Sequence, residues 1–314
     1  MPADGLEPVD MLMALLRPKA VQPKMISGAG EWSVGKPPYT EPSFCLMLEG
    51  SCVLDAEGLD AIELGQGDFL LLPTTPGFTL ASGRGVEPEP VPLDYSRDTH
   101  HGCASGAVTM RMLGGFFRFD RDTAPLLVSL LPRFVLIRRG EPGVTRLQAI
   151  VELIAGEADG SEPCRDLVLE RLVEVLMIEA IRLRAAPVSA AERGLLAGLS
   201  DPILAPALRQ LHADVAAGWT VQRLARSAGV SRAVFAERFT RTIGMPPGQY
   251  LMQWRMALAQ DILRTEEPSM TEVARRVGYQ SAGAFITAFS RLTGRSPSAF
   301  ARSHAPAHDE APSG

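Results

Sequence analysis

Apolar and polar positions change rhythm once along this chain. From about Met25 to Val108, short apolar runs alternate with Gly, Pro and Asp: Phe44–Leu48, Cys52–Leu54, Phe69–Leu72, Phe78–Leu80 and Val108–Leu113. Runs of this length and punctuation predict the strands of a β-sandwich or barrel. A short apolar helix, Val9–Leu16, precedes them and stops near Pro18, and Gly83–Asp98 reads as a loop. From Thr123 onward the period becomes helical. Over Pro163–Arg184 the residues Leu169, Leu172, Val173, Leu176, Ala180 and Leu183 fall on one stripe, with Arg171, Glu174 and Arg182 off it. A single stripe on a long helix buries either against its own barrel or against the same stripe of a second copy. The dimer expectation rests on Leu169, Leu172, Leu176 and Leu183. Ala185–Ser200 has the composition of a linker, and the tail after Ser303 that of disordered peptide.

The helical part reads twice. Ala225 and Gly229 recur as Ala274 and Gly278, 49 residues later. Phe235, Phe239, Gly244, Pro247 and Tyr250 recur as Phe285, Phe289, Gly294, Pro297 and Phe300, 50 residues later. A small residue on the first helix and a Gly at the bend let two helices cross closely, as a helix–turn–helix requires. The Phe pairs, four residues apart, pin each second helix to its core. Expected helices are 221–227 with 232–242, a connecting helix near Tyr250–Thr265, and 271–276 with 282–292. Asp201, Thr220 and Ser231 are expected N-caps, Ser269–Glu272 a capping box, and Gly218, Gly244 and Gly294 helix stops. Two such motifs on one small domain can enter consecutive major grooves, which makes DNA reading the leading function.

Charge supports this division. The chain of 314 residues carries a net −5, but residues 199–303 hold 13 Arg and no Lys against 7 acids, a net +6, and the rest holds −11. A basic module on an acidic body suits a DNA reader attached to something else. Cys45, Cys52, Cys103 and Cys164 form no C-x-x-C pair and read as reduced, mostly buried thiols. No secretory leader is legible, and no apolar run reaches the ~20 residues that span a bilayer. The expectation is a soluble cytoplasmic protein with no membrane partner.

The segments YLMQWRMALAQDILR, VARRVGYQSAGAF and FSRLTGRSPSAF resemble the linker helix and second motif of the AraC/XylS family of bacterial transcription regulators. The resemblance implies a seven-helix module with two recognition helices. Carried over by position, the first presents Arg232, Ala233, Ala236 and Glu237, and the second Ser281, Ala282, Gly283 and Thr287. At Glu237 the family usually carries Arg, and at Ala282 usually Glu. Bidentate Arg–guanine contacts are therefore largely absent. Glu237 could accept from a cytosine amine, and the alanines could touch thymine methyls. Arg232, Arg238, Arg241, Arg291 and Arg295 are expected to hold phosphates, unless they are simply solvated.

Leu64–Pro73, LGQGDFLLLP, resembles the second motif of cupins, and the stretch from Gly114, GGFFRFDRDTAPLLVSLLP, resembles the closing region of a cupin-type sensor domain in this regulator family. A cupin enzyme holds a metal with two or three His and a carboxylate. Here Phe78 stands where a ligand His would fit, and the first-motif H-x-H is absent. His100 and His101 are adjacent and would point to opposite faces of a strand. No metal site, catalytic residue or cofactor is expected.

The fold class so read is multidomain α+β: an N-terminal cupin-like β-barrel with flanking helices and a C-terminal all-α domain of two helix–turn–helix motifs. The boundaries are 1–140 for an effector-sensing domain, 141–195 for a helical dimerisation and linker region, 196–303 for the DNA-binding domain and 304–314 for the tail. The expected partners are double-stranded DNA, a small-molecule effector, a second copy of the chain and RNA polymerase. A metal-dependent cupin enzyme fused to a DNA-binding module, and a constitutive architectural DNA-binding protein, remain open alternatives.

Overall fold

The computed structural model describes residues 7–90, 98–184 and 193–304. The tail beyond His304 and residues 185–192 of the expected 185–200 linker lie outside the described residues. Contacts divide the chain into two compact units. One comprises Arg17–Phe119 and Leu131–Glu192. The other comprises Met1–Leu16, Asp120–Leu130 and Arg193–Gly314, and so takes helices α1 (Pro8–Leu16) and α2 (Ala124–Leu127) from the N-terminal part of the chain. This division departs from the boundaries drawn from sequence periodicity, because a stretch that alternates correctly gives no sign of the unit it buries against.

The first unit is built on two sheets. The six-stranded one runs in the order β11–β6–β3–β10–β1–β9, from Val135–Ile137, Phe69–Leu72, Ser43–Glu49, Met110–Arg118, Lys19–Ala29 and Thr99–Gly102. The five-stranded one runs β5–β4–β7–β2–β8, from Ile62–Gly65, Ser51–Ala56, Phe78–Ala81, Ser33–Lys36 and Glu89–Pro90. The expected cupin-like barrel thus takes the form of two facing sheets; among the described residues the ladders do not close into a ring. Strand β4 buries every second residue, Cys52, Leu54 and Ala56, as a half-buried strand does. β3 and β6 are buried on both faces, which their unbroken apolar runs anticipated. The Gly-Asp turn before β6 is an anchor: Gly67 adopts φ +83°, and the Asp68 carboxylate accepts from the Gly65 amide at 3.0 Å, the Arg139 amide at 3.1 Å and the Arg138 guanidinium at 2.6 Å. Two of the four thiols, Cys45 and Cys52, are buried, whereas Cys103 and Cys164 are exposed.

Helices α3 (Thr145–Asp159) and α4 (Arg165–Arg184) form a pair, and α4 packs on β1, where Glu174 accepts from the Ala20 amide at 3.1 Å. The apolar stripe of α4 turns to its own unit. Leu169, Val173, Leu176, Met177, Ala180 and Ile181 are buried there, and Leu172 and Leu183 are half-buried. Leu169 and Leu176 are therefore core residues and not a dimer surface, which corrects their expected role. A different apolar set is exposed on this hairpin: Leu153 of α3 and Leu167, Val168 and Val175 of α4.

The second unit gathers α1 and α2 with α5 (Leu195–Ser200), α6 (Leu204–Ala213), α7 (Val221–Ser227), α8 (Arg232–Ile243), α9 (Pro247–Thr265), α10 (Met270–Arg276), α11 (Ala282–Thr293) and α12 (Pro297–His304). From α5 onward that is eight helices among the described residues, one more than expected, because residues read as linker form α5. Both α1 and α2 lie against α9. Asp120 fixes this arrangement. Its carboxylate accepts from the Arg264 guanidinium at 2.5 and 2.9 Å and from the amides of Asp122 and Thr123. Burial works to raise the Asp120 pKa, but those amides and the Arg264 charge outweigh it and hold the carboxyl below its ordinary value.

Candidate nucleic-acid interface and ligand cavity

Each helix–turn–helix is fixed by the residues that repeat in the sequence. Thr220, Ser231, Ser269 and Ser281 each accept, through the side-chain hydroxyl, the amide three residues on, and so cap α7, α8, α10 and α11. Glu272 does not complete a capping box. Its carboxylate binds Arg275 instead, at 2.7 and 3.1 Å. Gly244 and Gly294 close α8 and α11 in the left-handed region, at φ +94° and +76°, where a side chain would be strained. Gly218 stops no helix, since α6 ends at Ala213. Phe235, Phe239, Phe285 and Phe289 are fully buried, and Phe239 and Phe289 meet Tyr250 and Phe300 edge-on at 5.4 and 5.7 Å.

One residue that the repeat did not single out holds the two halves together. Arg255 of α9 donates to the Val215 and Ala217 carbonyls at 2.8 Å and to the Gly278 carbonyl at 3.2 Å. It thereby ties the loop before the first motif to the turn of the second. Gly278 adopts φ +77°, and a Cβ there would meet the Ala216 carbonyl oxygen at 2.5 Å. Burial lowers the Arg255 pKa, but a guanidinium stays charged at neutral pH. The periodicity of α9 hid this residue, because a partly buried Arg reads as an ordinary polar position.

The outward faces carry the expected base-reading residues. On α8, Arg232, Ala233, Glu237 and Arg241 are exposed and Ala236 is half-buried. Among the described residues none of Arg232, Glu237 and Arg241 has an ion-pair partner. On α11, Ser281, Gly283, Thr287 and Arg291 are exposed and Ala282 is half-buried. Two expected phosphate ligands are engaged within their own unit. Arg238 pairs with Asp201 at 2.7 Å, and Arg295 pairs with Asp122 and lies over the Phe300 ring at 4.5 Å. Each is already ordered by a carboxylate; for Arg295 the sequence could not show it, because Asp122 lies 173 residues away. Sequence reading also passed over Val234 and Ile286, large apolar side chains that are 48% and 37% exposed on the two recognition helices. Their signal was present: an apolar residue beside the buried Phe pair that falls off its stripe.

Between the sheets of the first unit lies a cavity of about 470 Å³, within the ~300–1,000 Å³ range of small-molecule sites. Its wall includes Ile26, Val34, Phe44, Leu54, Leu70, Leu80 and Met112, with Lys24, Lys36, Tyr39, Thr99 and His101 also facing it. Phe78, at the position where a cupin ligand His was sought, is among the lining residues. His100 bonds to the Ser27 hydroxyl at 2.9 Å and His101 stacks on Trp32 at 5.6 Å, so the two rings serve different neighbours. Among the described residues no group of three His, Cys, Asp or Glu could hold a metal, and no helix is long and apolar enough to cross a membrane.

Comparison with known proteins agrees with this geometry. Residues 7–186 match a cupin family model, and residues 224–303 match a helix–turn–helix domain model. The chain is 32% identical over 298 residues to an AraC-like transcription regulator of Streptomyces lividans, with 93% of this chain and 97% of the relative covered. It is also 32% identical over 294 residues to an AraC-like transcription regulator of Streptomyces antibioticus, with the same coverage. Among solved structures it resembles the DNA-binding domain of AdpA in complex with a target DNA, at 35% identity over 33% of this chain and 93% of that one, with a TM-score of 0.32.

Proposed function

Taking as premise that the chain belongs to the AraC family of DNA-binding transcription regulators, with a cupin N-terminal domain, we propose that it responds to a small organic effector held in the cavity between the two sheets. The observation that carries this reading is the cavity itself, apolar-walled and fitted with a few polar groups, in a chain whose other unit presents two recognition helices. A regulator needs two states that bind the effector differently, and DNA affinity then changes by the same coupling free energy. Relatives named as transcription regulators place this chain outside the enzymes.

On DNA, Arg232, Arg241 and Arg291 hold phosphates. Ala233, Ala236, Glu237, Ser281, Ala282, Gly283 and Thr287 face base edges, and Val234 and Ile286 supply apolar contact suited to thymine methyls. Arg238 and Arg295 reach phosphates only after leaving Asp201 and Asp122. Two copies associate through the exposed Leu153, Val168 and Val175 in place of the buried stripe. The setting is the cytoplasm, and RNA polymerase is a further partner at the promoter. Val168→Glu with Val175→Glu should give folded monomers by analytical ultracentrifugation and circular dichroism; a folded dimer would move the interface elsewhere.

The central test maps the protein's genomic binding sites, then measures affinity for one such site while metabolites handled by the adjacent genes are added. An effector that shifts affinity supports the reading. Affinity that no metabolite changes, with the cavity filled by Leu54→Trp and binding still unaltered, favours a constitutive architectural role.

A further inference from the structure

The two motifs repeat their cores but not their charges. On the first, Arg223 and Arg226 of α7 and Arg232 and Arg241 of α8 are exposed, and among the described residues none of the four has a carboxylate partner. Glu237 is the one acid on these two helices. With the 49-residue offset of the first helices, Arg223 falls on Glu272 and Arg226 on Arg275. With the 50-residue offset of the second helices, Arg232 falls on Ala282 and Arg241 on Arg291. Glu272 pairs with Arg275 at 2.7 Å, and Arg276 pairs with Glu266 at 2.5 Å. Among the described residues, Arg291 is therefore the one arginine of α10 and α11 without a carboxylate partner.

Arg223 is also held in place. Its guanidinium lies over the Trp219 ring at 4.0 Å, and the ring is fixed by its own Nε1–H, which donates to the Asp214 carbonyl at 2.7 Å. Stacking occupies the face of the guanidinium and leaves its edge donors for a ligand oxygen. A fork so placed loses less freedom when it binds. The repeat puts Pro268 where Trp219 stands, so the second motif has no such platform.

We propose that Trp219 and Arg223 form a phosphate-binding site for duplex DNA, continued by Arg226, Arg232 and Arg241, and that the two motifs grip DNA unequally. The first supplies most of the ion pairs to the backbone. The second contributes Arg291 and otherwise docks through small and apolar side chains. In a helix–turn–helix the first helix crosses the DNA backbone while the second lies in the groove, so exposed cations on α7 meet phosphates. The inference rests on the DNA-binding function of the family and is independent of the effector.

The test uses the full-length protein and a duplex of roughly 30 base pairs of randomised sequence, whose binding is almost wholly electrostatic. The slope of log affinity against log salt should fall by about 0.9 in Arg223→Gln and in Arg226→Gln, the value of one phosphate contact each. Arg223→Lys should keep the slope of the unaltered protein, because it keeps the charge; a merely structural role for Arg223 would move neither slope. Trp219→Leu should weaken binding about threefold at unchanged slope, since the charge remains and its placement is lost. Arg275→Gln, at the position equivalent to Arg226, should change the slope by less than about half as much, because Arg275 is already paired. An unchanged slope in Arg223→Gln, or equal losses in Arg226→Gln and Arg275→Gln, overturns the proposal and leaves DNA binding in place. An affinity of the unaltered protein that ignores salt overturns the DNA reading with it.

Discussion

Helices α8 and α11 begin alike, at a serine whose hydroxyl accepts the amide three residues on, and end alike, at a left-handed glycine. Each buries two phenylalanines four residues apart. Their outward faces differ. The first carries Arg232, Glu237 and Arg241; the second carries Gly283, Ile286 and Thr287 before Arg291 is reached. The buried positions answer to one packing problem solved twice, so they kept the same residues. The exposed positions answer to whatever each helix touches, and they diverged. The first face offers formal charge and long hydrogen-bonding groups. The second offers small and apolar groups, of the kind suited to DNA shape and thymine methyls.

The sameness of the cores is the easiest part of this comparison to break. Phe235→Ala and Phe285→Ala should each cost about 3–5 kcal/mol, the usual loss for emptying a fully buried aromatic site. Thermal unfolding of the full chain should rank the two together. If one variant lost under a third of the other's cost, the two cores would not be equivalent.

Acid should separate the halves next. His212 of α6 is fully buried, bonded to the Tyr250 hydroxyl at 2.6 Å and edge-on to Trp254 at 4.3 Å, and burial depresses its pKa to about 3. The unfolded chain binds a proton near the ordinary value of 6.5, and the folded chain refuses it. Stability from this group is therefore complete above pH 6.5 and is lost as pH falls from 6.5 toward 3, at about 1.4 kcal/mol per pH unit, or about 2 kcal/mol by pH 5. At the position equivalent to Tyr250 the second half has Phe300, stacked on the more accessible His304. Hydrogen exchange at pH 5 should show α6 and α8 losing protection before α10 and α11. A uniform loss would place the acid-sensitive group elsewhere.

DNA should separate the exposed faces. Glu237→Ala should cost about 1–3 kcal/mol of discrimination at one operator position, with a smaller effect on overall affinity. Arg241→Ala should weaken all sequences alike and reduce the salt slope by about one. Thr287→Ala should do less than Glu237→Ala, because the Thr287 hydroxyl already donates to the Gly283 carbonyl at 3.0 Å. Selection from randomised DNA reads all three. A larger change of preference from Thr287→Ala than from Glu237→Ala would reverse the assignment of the charged face to base reading.

What the sequence made legible follows the same line between buried and exposed. The helix stops at Gly244 and Gly294, the caps at Thr220, Ser231 and Ser269, and the four buried phenylalanines were readable because local periodicity and short-range bonds set them. The Asp120–Arg264 and Asp122–Arg295 pairs were not, since each joins residues more than 140 apart. Nor was the assignment of α1 and α2 to the unit that carries the DNA-reading helices, because an apolar face does not name its partner. The α4 stripe was legible as a burying surface, but its Leu169 and Leu176 were expected at a dimer interface, and they are buried within their own unit. The cavity lining was not legible either, because only strand register decides which side chains face inward, Lys24 and Lys36 among them.

The smallest expected effect probes the one place within α8 and α11 where a glycine stands in one copy and not in the other. Gly283 stands near the start of α11 where α8 has Ala233. Its φ is not in the left-handed region, and an added Cβ would meet no atom within 4 Å. Gly283→Ala should therefore stabilise the protein by about 0.4–1 kcal/mol, chiefly by restricting the unfolded chain. Ala233→Gly should destabilise it by a similar amount. On the proposed groove face the added methyl would also hold the α11 backbone farther from DNA than glycine does. We expect Gly283→Ala to raise the melting temperature and lower operator affinity together. If the variant melts higher and binds DNA as well as before, Gly283 is a tolerated weakness of α11 and not a contact, and the second face reads through Ile286 and Thr287 alone.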